Sequence, residues 1–259
     1  MSMREKLRSC YWGVTVPFGI QPSQMLGAIR AFPSFVSDYR KFRSGYSGAM
    51  QVMPYLHDKT APAGETNSEY FVQDLFVARR IYDRNPAKHV DVGSRIDGFV
   101  AHVASFRTIE VIDIRAIKAE IPGILFRQAD LTNIDHSQVA CCDSLSCLHA
   151  LEHIGLGRYG DSIDPLGWKQ GLANLSRLVR TGGRLYLSTP IGKEKVFFNA
   201  HRVFPPAQLI ESAQQHGLKL DHFSWFADGK LTESSNIGVD VVSLTSKEYS
   251  LGIFEFMKE

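Results

Sequence analysis

The sequence predicts an α/β protein whose mostly parallel sheet of seven strands, the last antiparallel, carries helices on both faces behind an N-terminal cap. Three observations predict it. From about Lys88 onward, short β-rich runs alternate with segments of helical period, the pattern of crossover connections between parallel strands. Those runs are almost continuously apolar, as strands covered on both faces must be. The first 66 residues differ, with Pro17, Pro22, Pro33, Pro54, Pro62 and the stretch RSGYSGA interrupting any regular pattern.

Residues 1–66 are therefore read as a cap or extension, and residues 67–259 as the main domain. The segment Ser68 to Arg84 predicts a helix with Ser68 as N-cap and Phe71, Val72, Leu75, Phe76 and Ala78 as its packed face. Parallel strands are expected at HVDVG (89–93), TIEVIDI (108–114), ILFRQAD (124–130), ACCDSLSCL (140–148) and GRLYLSTP (183–190), with a helix-like FVAHVASF after the first. Leu172, Leu175, Leu178 and Val179 recur at helical spacing, with Gly182-Gly183 as the stop. Pro205-Pro206 opens a further helix that ends before Gly217. The last runs, LKLDHFSWF, VDVVSL and SLGIFEFMK, leave no room for crossover helices and are expected to close the sheet antiparallel.

Composition excludes several function classes. Of 259 residues, 44% are hydrophobic and 22% charged, so the chain is no disordered tail. A formal charge of +2 supplies no footprint for nucleic acid or for an anionic membrane, and a small-molecule partner fits better. The N-terminal stretch has no signal-peptide core, so the cytoplasm is the expected location. No apolar run approaches the roughly 18 residues of a spanning helix. Cys10, Cys141, Cys142 and Cys147 lack disulfide or metal spacing and are read as reduced thiols.

The chemistry begins where the first strand ends, at Asp91-Val-Gly93-Ser94-Arg95-Ile-Asp-Gly98. A glycine turn between strand and helix lets backbone approach a ligand without a Cβ clash. Arg95 stands where a dinucleotide fingerprint has its second glycine, and no P-loop lysine follows Gly98. The next strand ends in Asp113, whose carboxylate can accept from two ribose hydroxyls. The third ends in Asp130-Leu131, where a carboxylate beside an apolar residue suits an adenine amino group. Strand ends are where α/β sheets bind ligands.

In this order the motifs HVDVGSRIDG, VIDI, RQADL, DSLSCLHALEH and LVRTGGRLYLSTP resemble the class I S-adenosylmethionine-dependent methyltransferases, over about residues 68–259 and in detail a little-characterised bacterial branch. The resemblance implies a Rossmann-like fold and S-adenosylmethionine as cofactor. It implies that Asp91, Gly93 and Ser94 hold the methionine end, Asp113 and Ile114 the ribose and adenine, and Asp130 and Leu131 the adenine. Cys147 and Leu148 would lie beneath the sulfonium, with Tyr70, Gln73 and Asp74 also touching the cofactor. Methyl transfer to a hydroxyl needs positioning and a base, and His149 or His153, with Glu152 as orienter, would serve. A small polar or saccharide-type acceptor would meet His57 from the cap and Arg158, Tyr159 and Asp161 from the glycine-rich insert. No metal is expected.

Two other readings compete. His149-Ala-Leu-Glu152-His153 matches the H-x-x-E-H zinc-peptidase motif, although Gly155 and Gly157 would break its helix within a turn. A nucleoside-binding module without turnover would also carry the strand-end acids.

Overall fold

The structure is a computed structural model that describes residue 11 and residues 13–134 and 139–259. Cys10 lies outside these. The chain divides between Glu65 and Thr66 into two compact units. In the first, helix α1 (Pro22–Gly45) runs through an internal Pro33, and Lys59 Nζ reaches Asp38 Oδ2 at 2.8 Å and Ser34 Oγ at 2.9 Å.

The second unit is built on one eight-stranded sheet. Its strands are β1 (His89–Val92), β2 (Ile109–Asp113), β3 (Ile124–Gln128), β4 (Cys142–Leu148), β5 (Val179–Ile191), β8 (Leu218–Ala227), β9 (Lys230–Glu233) and β10 (Ser250–Lys258). A small hairpin, β6 (Lys195–Phe197) and β7 (His201–Val203), stands apart from it. The order is β3-β2-β1-β4-β5-β10-β8-β9, with β1 to β5 parallel and β10 antiparallel between β5 and β8. The sheet thus turns in opposite directions from β1, toward β2 on one side and β4 on the other. That reversal point is where open α/β sheets leave a crevice.

Helices cover both faces as expected. From α3 (Gly167–Leu178), the fully buried Leu172, Leu175 and Leu178 pack with Leu145, Leu185 and Leu187 of the sheet, each burial contributing about 1.5–3 kcal/mol. On the opposite face Val77 and Ile81 of α2 (Glu69–Arg84) meet Phe99, Val103, Val111 and Ile253. Val111 and its neighbour Ile112 point to opposite faces, which is why the strands read as continuous apolar runs. Ser68 caps α2, its side chain accepting from the Phe71 amide, and Pro206 opens α4 (Pro206–Gln214).

Four expectations are corrected. The sheet has eight strands, not seven, because Lys230–Glu233 pairs with β8 as an edge strand. The run VDVVSL is not a strand but part of α5 (Ile237–Thr245), capped by the Asn236 side chain on the Val239 amide. Val241 and Leu244 are buried while Val239 and Val242 are exposed, the three-residue spacing of a helix. Strand β5 begins at Val179, so Gly182-Gly183 lies within it and does not stop a helix; the pairing of Cys142 with Val179 draws the chain into the sheet earlier. On α2 the buried face is Gln73, Asp74, Val77, Ala78 and Ile81, whereas Phe71 and Leu75 are exposed. Polar partners inside the unit, described below, turn the helix this way. Cys142 and Cys147 are buried, Cys141 is half-buried, and all three are free thiols. Among the described residues, no helix is long and apolar enough to cross a membrane.

Candidate functional site

A cavity of about 560 Å³ opens at the carboxyl ends of β1, β2, β3 and β4, a size ordinary for a small-molecule site. Its wall includes Tyr70, Gly93, Asp113, Ile114, Asp130, Leu131, Leu148, His149, His153, Arg158, Tyr159 and Asp161, so the strand-end residues read from the sequence do converge. Asp91, Ser94, Cys147, Glu152, Gln73 and Asp74 stand behind the wall, all buried. His57 belongs to the N-terminal unit, where its ring lies beside Gly27.

Asp91 is a brace. Its carboxylate accepts from the Ser94 amide at 3.0 Å, the Ser94 hydroxyl at 2.6 Å and the Ser146 hydroxyl at 2.5 Å, while Ser94 Oγ accepts from the Leu148 amide at 3.1 Å. These bonds tie the end of β1 to the end of β4. Burial pushes the Asp91 pKa up to about 6 against the pull of those hydroxyls. Behind it, neutral His89 bridges Ser144 at 2.7 Å and Ser146 at 3.1 Å, its pKa depressed to about 3 by burial.

Gly93 follows with φ +75°, and a Cβ there would sit 2.8 Å from the Ala150 Cβ. Gly93→Ala is therefore expected to lower stability by about 1–3 kcal/mol, read by urea unfolding, from left-handed strain before any clash is counted. Arg95 does not fill the turn. Its guanidinium lies outside, paired with Asp97 at 2.9 Å and 5.8 Å from the centre of the Tyr70 ring. Asp74 is buried against Gly98, accepting from Gln73 Nε2 at 3.0 Å, while Gln73 accepts from the Ser188 hydroxyl of β5. This pair explains why α2 turns polar residues inward.

At the opposite end of the cavity, Asp113 accepts from the Arg115 amide at 2.8 Å, Nε at 3.0 Å and a terminal nitrogen at 2.6 Å. The Arg115 guanidinium in turn lies 4.6 Å from the Tyr159 ring centre. Asp130 caps a short 3-10 turn, Leu131–Asn133, taking both Thr132 donors on Oδ1 at 2.8 Å and leaving Oδ2 without a bond among the described residues. Ile114, Ile117, Phe126, Ala129 and Leu131 make this end apolar, suited to a flat base.

His149, at φ +53°, leaves β4 sharply, and its Nδ1 stands 2.8 Å from Glu152 Oε1. Its buried Nε2 has no hydrogen-bond partner among the described residues, with Glu69 Oε1 at 3.8 Å and the Tyr70 ring centre 4.5 Å from its own. Burial alone would depress the His149 pKa. The bond and charge of Glu152, with the charges of Glu69 and Asp74, outweigh it and raise the group above its usual range. Burial likewise acts to raise Glu152, yet the His149 bond and the charges of both histidines hold it below the ordinary carboxylate range. His153 is engaged elsewhere, Nδ1 donating to the Ala200 carbonyl at 2.6 Å, and burial lowers its pKa. Glu152 and His153 sit on a 3-10 turn, Leu151–His153, which His149 precedes, and no three His, Cys, Asp or Glu gather as a metal-ligand set among the described residues.

The insert is fastened rather than loose. Asp161 accepts from the amides of Gly155 at 2.7 Å, Gly157 at 3.2 Å and Tyr159 at 3.2 Å. Arg202 of β7 donates to the carbonyls of Glu152, Ile154, Asp164 and Pro165. Asp161 thus serves the loop itself. The sequence reading missed Arg115, Arg202 and the pair Glu69–Tyr249, in which the phenol donates to both carboxylate oxygens at 2.8 Å. Only Arg115, two residues past Asp113, left a local signal.

A family described as "Caenorhabditis protein of unknown function, DUF268" matches residues 100–246, more than half of the chain, and its description names no bacterial branch. No curated protein matches in sequence. Among solved structures, the [4+2]-cyclase SpnF aligns with a TM-score of 0.52 and 13% identity over 74% of this chain and 84% of its own. Phosphoethanolamine N-methyltransferase 2 of Haemonchus contortus, solved with phosphomonomethylethanolamine and S-adenosylhomocysteine, aligns with a TM-score of 0.50 and 12% identity, covering 73% of this chain and 52% of that one. The fold is the Rossmann-like fold of the class I methyltransferases.

Proposed function

We propose, for a chain that belongs to the DUF268 family, that it is an S-adenosylmethionine-dependent methyltransferase acting on a hydroxyl of a small polar acceptor such as a saccharide, with His149 as general base. One observation carries the reading: a cavity at the sheet's reversal point joins the acids ending β2 and β3 to His149, whose Nε2 has no hydrogen-bond partner among the described residues. The cavity fits the cofactor. Asp113 would take the ribose, Oδ2 of Asp130 and the apolar wall the adenine, and Gly93 the close backbone approach.

Bound S-adenosylmethionine would supply an electrophilic methyl whose bond to sulfur breaks with its electron pair returning to sulfur, releasing a neutral thioether. Glu152 holds Nδ1 of His149, so the proton sits on that nitrogen and the lone pair of Nε2 is left to take up another. Nε2 would take the proton of an acceptor hydroxyl. His153, with Nδ1 on a backbone carbonyl, helps to shape the wall. The Tyr70 ring packs against the His149 ring at a tilt of 33°.

Calorimetric titration with S-adenosylhomocysteine and S-adenosylmethionine tests the reading. Asp113→Ala is expected to weaken both about tenfold or more, the cost of charge-assisted bonds to two hydroxyls. Unchanged affinity would remove the ribose assignment. A second reading is a nucleoside-binding module without turnover, which would use the same strand-end acids. Cofactor binding with no methyl transfer to any hydroxyl acceptor would select it.

A further inference from the structure

We propose that the acceptor carries an anionic group, a carboxylate or a phosphate ester, gripped by Arg158 while its hydroxyl reaches His149; this rests on the methyltransferase reading above. Among the described residues, three arginines line the cavity. Arg95 is paired with Asp97 at 2.9 Å and Arg115 with Asp113 at 2.6 Å. Arg158 has no carboxylate within ion-pair distance among the described residues. Asp161, the nearest acid in its own loop, already accepts from Gly155 and Gly157 on Oδ2 and from Tyr159 on Oδ1.

The cation is nonetheless aimed. One terminal nitrogen of Arg158 donates to the Ala200 carbonyl at 2.9 Å, and the guanidinium lies 5.1 Å from the Tyr159 ring centre. A planar fork with five donors keeps an edge free for a carboxylate or phosphate in that pose. The Ala200 carbonyl also takes His153 Nδ1 at 2.6 Å; His153 Nε2 stands 3.8 Å from Glu152, and Glu152 holds His149 at 2.8 Å. Arg158 and the unpartnered Nε2 of His149 are thus on one wall, linked through two side chains. The other acids at this end are committed, Glu152 to His149 and Glu69 to Tyr249. Arg158 is exposed to solvent in the open site, and a neutral acceptor covering it would supply no counter-charge. An anionic one supplies it and orients the hydroxyl at the same time.

The test is calorimetric titration of the S-adenosylhomocysteine-loaded protein with sulfate, D-glucuronate and D-glucose. Sulfate and glucuronate are expected to bind saturably, with glucose at least tenfold weaker than glucuronate. Arg158→Gln is expected to weaken both anions at least tenfold, with circular dichroism and melting temperature reporting its fold. Arg158→Lys, keeping the charge and losing the fork, is expected to fall between, and it decides the matter alone should the Gln variant not fold. Absence of saturable anion binding, or binding that survives both substitutions, overturns the proposal. Binding of S-adenosylhomocysteine is measured first. Its failure would remove the methyltransferase reading, while sulfate titration of the free protein would still decide whether Arg158 forms an anion site.

Discussion

Replacing His149 by alanine is expected to lower turnover about 10²- to 10⁴-fold, the usual contribution of a positioned general base, while S-adenosylhomocysteine affinity changes far less. Covalent geometry and one carboxylate set the position of its ring. A left-handed turn at the end of β4 sets the ring on the cavity wall, and Glu152, 1% exposed, fixes its tautomer from behind. The pH dependence gives the finer test. The base must be neutral to accept a proton, and its pKa stands above the ordinary 6.5, so the rate should rise with pH and reach half its plateau above that value. Glu152→Gln removes the charge that raises it, so the rising limb should move to lower pH as the plateau falls. A limb that stays in place would mean that another group titrates. His153→Gln should leave the limb where it is, because the His153 ring is held by a backbone carbonyl.

Glu255→Ala is expected to destabilise the main unit by about 3 kcal/mol, or roughly 6–12 °C in melting temperature. Glu255 of β10 is 1% exposed and faces two arginines of α2, with Arg80 Nε at 2.7 Å and Arg84 at 3.1 Å. The Arg84 contact is an aligned hydrogen bond; at Arg80 the N–H does not point at the oxygen, so that contact is one of charge. Arg80 continues to Glu233 at 2.6 Å and to Nε2 of His222 at 2.7 Å, linking α2 to β8 and β9. Removing the carboxylate leaves Arg84 without an acid partner among the described residues and Arg80 with Glu233 alone. The arginine side chains are 22% and 37% exposed, so water compensates in part, and the low end of the range for broken buried pairs applies. Glu255→Gln keeps an acceptor for Arg84 and should lose less. A measured loss under about 1 kcal/mol for alanine would show that solvent already screens the pair.

Much of the fold was legible because it is written in short windows. The cap at Ser68, the proline opening α4 and the strand–glycine turn at Asp91-Val-Gly93 each depend on a few neighbouring residues. So do the ends of β2 and β3, and Asp113, Asp130 and Leu131 reached the cavity accordingly. VDVVSL failed because alternation and helical spacing agree over so few positions, and burial of Val241 and Leu244 decided between them. The face of α2 failed for a different reason. Phe71 and Leu75 are the more apolar residues, but Ser188, more than a hundred positions away, supplies the partner that lets Gln73 turn inward.

By itself the amino-acid order determined the layering, the parallel core and the rim on which the acids stand, since these follow from local backbone preference and from the period of apolar residues. Which acids face the cavity was decided in three dimensions. Asp91 became a brace and Asp113 a partner of Arg115, while Glu69, Tyr249, Arg80 and Glu255 met across the unit. A polar side chain's role depends on the group that answers it, and that group can come from anywhere in the chain once the sheet has closed.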